Sequence, residues 1–353
     1  MIAVLSIILL VYLFQVNSFS KGWSKLPSFS PTQDIELTVL IAFRNEAQHL
    51  PLLLSDLENQ KFPLNKVQFI FVDDSSEDNS FEIVTSSPLQ IELLRSQGAG
   101  KKEAIECGVS NAKHDIILTS DADCRLSEDW ISTMVAPFTE EDIQLVSGPV
   151  AYHQLNSTFK EIQALEFMSL IGSGAGAIGN KKSFMCNGAN MAFRKSMFSN
   201  TEKEIASGDD VFLLHHIKKN NGKIAFVKEQ NAIVSTAPKD SLTEFLNQRR
   251  RWASKTSAYK DSSAQWISLL VFATNLSFLV LVAKGYFFGL AVFYVLKSTV
   301  DFLFLRKLCR FFKYDISFYV FFILQLIYPF YIVWVGITSQ IGHYNWKGRA
   351  YKK

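Results

Sequence analysis

"DIILTSDADC", Asp115 to Cys124, carries an apolar run, Ile116 to Thr119, straight into two aspartates one residue apart, Asp121 and Asp123. A short apolar run that ends abruptly in acids reads as a buried strand with polar chemistry at its carboxyl end. The same pattern stands upstream in "FIFVDDSSEDNS", Phe69 to Ser80, where Val67 to Val72 is a buried strand followed by Asp73 and Asp74. Leu37 to Ala42 and Ile91 to Leu94 add two more strands. Between them, Glu46 to Asn59, Asp78 to Ser86 and Lys101 to Ala112 read as helices. Strands alternating with helices imply an α/β fold with a mainly parallel sheet covered on both faces. In such sheets ligands bind beyond the carboxyl ends of the strands, which is where both acidic pairs fall.

The remaining composition is too apolar for this sheet alone. Of 353 residues, 48% are hydrophobic and 30 are Phe. Met1 to Val16 carries no charged side chain, and three more apolar stretches follow Trp266: Trp266 to Ala283, Gly285 to Leu305 and Ile316 to Ile341. Each approaches the length needed to cross a hydrocarbon core of roughly 30 Å. The chain therefore reads as an integral membrane protein, with 1–17 a transmembrane anchor rather than a cleaved signal, since a basic leading region and a small-residue cleavage site are missing. The expected plan continues with a linker over 18–36, a soluble domain over 37–237, an amphipathic interfacial helix over 238–262, membrane helices over 266–341 and a basic tail over 342–353. Lys21 and Lys25 flank the first span, and Arg306, Lys307, Arg310 and Lys313 separate the last two. By the positive-inside tendency both segments, and the soluble domain with them, are cytoplasmic. Four full spans would put Lys347, Arg349, Lys352 and Lys353 on the opposite side, against the same rule. Lys297 and Asp301, four residues apart in an apolar stretch, either pair on one helix face or line a path.

Four cysteines, Cys107, Cys124, Cys186 and Cys309, have neither metal-ligand nor disulfide-framework spacing and fit a reducing compartment. A net charge of +3 with mixed signs, and no basic stripe interleaved with aromatics, argues against a nucleic-acid partner. Basic clusters beside membrane segments point to membrane lipids instead.

Each acidic pair, taken singly, is also what a turn or helix cap uses. Two pairs at matching strand ends favour a site. Without clustered histidines or thiols, these carboxylates select a hard cation, Mg²⁺ or Mn²⁺, which shares its oxygen ligands with phosphate. "GAGKKEAIECG", Gly98 to Gly108, places Lys101 and Lys102 at a helix start; the run suits an anion or is a solvated surface pair, and it lacks the P-loop spacing. In "SGDDVFLLHHI", Asp209 and Asp210 open a helix, either complementing its dipole or supplying a general base. "QRRRW", Gln248 to Trp252, lies on an amphipathic helix in which Leu242, Phe245, Leu246, Trp252 and Ala253 recur at helical spacing. Gln248, Arg251 and Trp252 share one side of it. Its arginines bind lipid phosphates, or one grips a diphosphate while the indole stacks on a sugar.

The ordered set "VLIAFRNE", "VDDSSEDNS", "GKKEAI", "SDAD", "FMCNGANMAFRK", "GDD" and "QRRRW" resembles membrane-bound family-2 glycosyltransferases, the group of cellulose, chitin and hyaluronan synthases and ceramide glucosyltransferase. The resemblance covers about Thr38 to Trp252. It implies a GT-A type, Rossmann-like nucleotide-sugar domain with an N-terminal transmembrane helix and C-terminal transmembrane or interfacial helices. It further implies a UDP-sugar donor contacted by Asp73, Asp74, Lys101, Asp121, Gln248 and Arg251, and a divalent metal on Asp123. Asp210, with Asp209 beside it, would be the catalytic base. Trp252 and the loop residues Phe184, Cys186 and Gly188 would face a lipid or polysaccharide acceptor. The Q-x-x-R-W sequence weighs against a polyprenyl-phosphate acceptor, which needs no base. A catalytically inactive scaffold of a polysaccharide-export assembly and a nucleotidyltransferase on a similar sheet are the alternatives.

Overall fold

The computed structural model describes residues 1–198, 209–341, 343–346 and 349–352, the side chains of Asp209, Ser257 and everything beyond 341 excepted. The strands in chain order are β1 (Leu37–Phe43), β2 (Val67–Asp73), β3 (Ile91–Arg95), β4 (Ile116–Asp121), β5 (Ile143–Ser147), β6 (Val150–Tyr152), β7 (Asn190–Arg194), β8 (Lys223–Phe226), β9 (Val234–Thr236), β10 (His343–Trp346) and β11 (Arg349–Lys352). The helices are α1 (Ile2–Lys25), α2 (Leu50–Glu58), α3 (Ser80–Thr85), α4 (Lys101–Asn111), α5 (Trp130–Val135), α6 (Thr158–Gly179), α7 (Asp209–Lys219), α8 (Leu242–Ser254), α9 (Ser262–Ala283), α10 (Phe287–Phe312) and α11 (Phe318–Thr338). Two compact units share them: Leu26–His153 with Met185–Ala237, and Met1–Lys25 with Gln154–Phe184 and Pro238–Lys353.

A seven-stranded sheet in the order β3-β2-β1-β4-β7-β5-β8 organises the first unit. Strands β1, β2, β3 and β4 are parallel, as the alternating pattern predicts. β7 interrupts the parallel series, antiparallel to both β4 and β5. The central strands are near-continuous apolar runs because both sheet faces are covered. Leu40, Ile70, Val72, Ile117 and Phe193 pack with Ala104 and Val109 of α4 and Leu214 and Ile217 of α7. The expected helix from Glu46 begins later, at Leu50: Asn45 sits at φ 53°, so the chain turns first, and Pro51 suits the opening turn of a helix.

The second unit is helical apart from the antiparallel pair β10 and β11. Helices α1, α9, α10 and α11 are each long and apolar enough to cross a membrane. α1 runs on past Val16 to Lys25, ahead of Pro27, and α10 runs on past Leu305 to Phe312, where Lys313 adopts a left-handed cap at φ 52°. The turn of polarity in sequence does not end a helix whose backbone bonds can continue. The sequence pattern does not mark α6 as a helix. It packs against α1 at backbone contact: a Cβ on Gly22 would lie 1.9 Å from the Gly176 carbonyl oxygen, and one on Gly176 would lie 2.3 Å from that of Phe19. Small residues at such a crossing let two backbones approach closely.

Lys297 and Asp301 pair, as the spacing allowed, but within a larger network. Lys297 Nζ donates to Asp301 Oδ2 at 2.8 Å and to Gln325 Oε1 of α11 at 2.9 Å, while Tyr12 of α1 donates its hydroxyl to Asp301 Oδ1 at 2.8 Å. Three helices are therefore tied by one satisfied polar cluster. Removing one partner leaves a buried charge, so Lys297→Met should cost about 3–5 kcal/mol. Pairing it with Asp301→Leu should recover much of that loss, measured as thermal unfolding in one detergent; an undisturbed single variant would mean the pair is solvated.

Candidate functional site

The parallel register fixes the site's edge. Phe43 is opposite Asp73 across β1 and β2, and Ala42 is opposite Asp121 across β1 and β4. Strands in register end together, so the two acidic turns project from one edge of the sheet. Asp73 and Asp74 are 4% and 3% exposed. Asp73 Oδ1 accepts the Ser76 N–H at 2.9 Å, closing the turn after β2. Asp74 Oδ1 accepts the Gly100 N–H at 2.8 Å. Gly100 precedes α4 at φ 107°, a conformation only glycine enters without strain, so the backbone N–H can reach the carboxylate. Arg44, at the end of β1, holds the same turn by donating to the carbonyls of Asp74 at 2.9 Å and Ser75 at 2.8 Å and to Glu77 Oε1 at 2.7 Å.

Lys101, the first residue of α4, is paired with Asp121 Oδ1 at the end of β4. The lysine of "GAGKKEAIECG" thus meets the D-x-D instead of standing in solvent. Asp123, two residues on, is half-buried on the turn that follows. Among the described residues no three Asp, Glu, His or Cys side chains form a ready metal cage. That suits a hard cation which takes one or two carboxylates and completes its shell from phosphate and water.

Beside β4 lies the loop read as an acceptor cradle. Thr119 Oγ1 donates to the carbonyl of Gly188 at 3.1 Å, and Ser120 Oγ donates to that of Ala189 at 2.9 Å. Asp210 Oδ2 accepts the Gly188 N–H at 2.9 Å, and its Oδ1 accepts the Val211 N–H at 2.9 Å. The Cys186 thiol donates to the Asp210 carbonyl at 3.2 Å. So the strand bearing Asp121, the loop of Cys186 and Gly188, and the first turn of α7 are stitched together. Asp209 also opens α7, but its side chain lies outside the described residues. Thr119 and Ser120 carry this connection, and nothing in the sequence pattern marks either hydroxyl for it.

Burial pushes the Cys186 thiol well above the usual range, and the neighbouring Asp210 charge adds to the shift. Near pH 7 the thiol stays protonated and inert. Because the folded value exceeds the unfolded one, its contribution to stability falls as pH rises past the ordinary thiol range. Maleimide at pH 7 should modify the half-buried Cys107 before Cys186, as mapped by mass spectrometry; prompt labelling of Cys186 would contradict this packing.

Phe184, Gln248, Arg251 and Trp252 belong to the helical unit. Phe184 stacks on Phe19 of α1, with centroids 5.9 Å apart. α8 is the amphipathic helix expected, with Ser241 capping it by accepting the Glu244 N–H at 3.2 Å. Its buried face differs from expectation: Leu242 is 58% exposed, whereas Arg249 is 3% exposed.

A family model described as Glycosyl transferase family 2 matches residues 38–201. Poly-beta-1,6-N-acetyl-D-glucosamine synthase of Staphylococcus aureus is 24% identical over 166 residues, 46% of this chain and 40% of that protein. Undecaprenyl-phosphate 4-deoxy-4-formamido-L-arabinose transferase of Yersinia enterocolitica is 30% identical over 132 residues, 36% of this chain and 40% of that protein. The chain thus spans 40% of the length of these curated relatives. A mannosyltransferase from Pyrobaculum calidifontis, solved in complex with GDP-Man and Mn²⁺, aligns with a TM-score of 0.61 at 16% identity, over 97% of this chain and 100% of that one. That likeness speaks for the fold: a GT-A type sheet with an N-terminal apolar helix and further apolar helices at the C-terminal end. Residues 38–201 of this chain are a glycosyl transferase family 2 domain.

Proposed function

We propose that the chain is an inverting glycosyltransferase, moving a sugar from a nucleoside-diphosphate sugar to a hydroxyl of a membrane-associated lipid or growing polysaccharide. The single observation that supports this most is the common sheet edge, where Asp74 and the Lys101–Asp121 pair follow from the register of β1, β2 and β4, with the Asp210–Gly188 contact joined to β4 through Thr119. The donor is a UDP-sugar, with Asp74 on the base, Asp73 also on the nucleotide-sugar and Asp121 toward nucleotide or sugar. The catalytic unit faces the cytoplasm, in line with the basic residues Lys21, Lys25, Arg306 and Lys307 at the ends of α1 and α10.

Asp210 takes the proton of the acceptor hydroxyl as that oxygen attacks the anomeric carbon from the face opposite the leaving diphosphate. Two backbone N–H groups fix its carboxylate, and each oxygen keeps a second lone-pair direction for the hydroxyl. Lys101 brings positive charge to the departing diphosphate. Asp123 would hold Mg²⁺ or Mn²⁺, which when bound would supply further charge neutralisation there. By the family resemblance Gln248 and Arg251 act on the donor and Trp252 on the acceptor.

The test uses the purified protein in lipid with Mn²⁺ or Mg²⁺, a panel of UDP-sugars and GDP-mannose, and acceptors that include a polyprenyl phosphate, because one relative's name carries that group. Release of UDP with one labelled glycolipid means a lipid acceptor, and a ladder means a polysaccharide. Release of GDP alone removes the UDP assignment, and transfer only to polyprenyl phosphate removes the hydroxyl acceptor.

A further inference from the structure

Within "QRRRW" the buried arginine is Arg249, one of the two unspecified positions of Q-x-x-R-W. It is 3% exposed, and Glu166 of α6 is 4% exposed. Arg249 Nε donates to Glu166 Oε1 at 3.2 Å and to Oε2 at 3.1 Å, and Tyr331 of α11 donates its hydroxyl to Glu166 Oε1 at 3.3 Å. A second arm of the guanidinium, Nη1, donates to Gln248 Oε1 at 2.6 Å. Its central carbon lies 4.6 Å from the Phe245 ring centre and 4.3 Å from that of Trp252. Trp252 packs on Phe167 of α6, with centroids 5.9 Å apart.

A buried ion pair contributes little net stability compared with apolar residues of similar volume. What this one does is orient its neighbours. We propose that Arg249, locked by Glu166, is a positioning residue: one guanidinium holds the Gln248 amide by its oxygen, leaving the NH₂ end to donate outward, and holds the Trp252 indole by its face. The proposal rests on the reading that Gln248 and Trp252 meet donor and acceptor. Lysine cannot replace the planar fork, because an ammonium is a point charge that cannot bond a carboxylate and an amide edge while lying against two rings.

Displacement of bound groups by about 1 Å can cost about 10²-fold in rate. Arg249→Lys is therefore expected to lower kcat/KM about 10²-fold at unchanged metal dependence. A triple variant, Glu166→Leu with Arg249→Met and Tyr331→Phe, removes the buried polar atoms together; it should melt close to the wild-type temperature yet lose activity to the same degree. Gln248→Ala and Trp252→Ala should each be impaired, and adding either to Arg249→Lys should cost much less than it does alone. Folded Arg249→Lys and triple variants with wild-type kcat/KM, beside impaired Gln248→Ala and Trp252→Ala, overturn the positioning role. A triple variant that fails to fold also overturns it, since the cluster is then structural. Full activity of both Gln248→Ala and Trp252→Ala instead removes the ligand-binding reading on which the proposal stands.

Discussion

Replacing Asp210 by Asn is expected to lower turnover by about 10²–10⁴-fold, the usual worth of a positioned general base, while leaving nucleoside diphosphate affinity unchanged. The expectation follows from what the side chain does in the fold. Its two oxygens accept from Gly188 N–H and Val211 N–H, each at 2.9 Å, so the carboxylate is aimed by backbone donors. Asparagine keeps the shape but can accept only at one oxygen; its NH₂ must face the other N–H. A lost hydrogen bond of this kind costs about 1 kcal/mol, too little to unfold a domain of this size. The variant should therefore purify folded, bind donor, and fail at transfer. Donor affinity by titration and turnover by nucleoside diphosphate release separate the two effects, and near-normal turnover would remove Asp210 as base. A fall in donor affinity equal to the fall in rate would instead place the residue on the donor.

How far the sequence carried the fold can be judged element by element. β1, β2 and β4 were legible because parallel strands buried on both faces are unbroken apolar runs, and the acids after them mark where burial stops. β7 was not: the five residues "NMAFR" give no clue that they pair antiparallel between β4 and β5. α6 was hidden for a different reason. Its residues from Gln163 to Met168 are all buried, so no polar stripe marks a helical period, and its glycines at 172, 174, 176 and 179 look like breakers. Gly172, Gly176 and Gly179 are instead sites of close approach to α10 or α1, and only those neighbouring helices reveal it.

The candidate site divides along the same line. Asp74, Asp121 and Asp123 were readable because acids after strands need only local pattern. The contacts that shape them were not. Gly100 reaches Asp74 across 26 positions, and Glu166 reaches Arg249 across 83. Pairings of that separation are a product of topology. Sequence spacing on α8 chose Arg251 and Trp252 by motif, whereas burial distinguishes Arg249, which carries the same charge and so gives no compositional hint.

Asp123→Ala should abolish the gain in donor affinity that Mn²⁺ or Mg²⁺ confers, and lower kcat/KM by about 10²–10³-fold, as loss of a charge-stabilising group at a leaving oxygen does elsewhere. The contrast with Asp121 makes the prediction sharp. Asp121 is already paired with Lys101, so its negative charge is spent within the protein. Asp121→Asn should weaken donor binding through the loosened Lys101 yet preserve the metal-dependent increment. A cation that keeps most of its shell as water and phosphate oxygen depends heavily on its one or two protein carboxylates, so no neighbouring acid should substitute for Asp123. Calorimetric titration of the nucleoside diphosphate with and without Mn²⁺ reads the increment directly, without turnover. If it survives in Asp123→Ala and vanishes in Asp121→Asn, the two acids have exchanged roles.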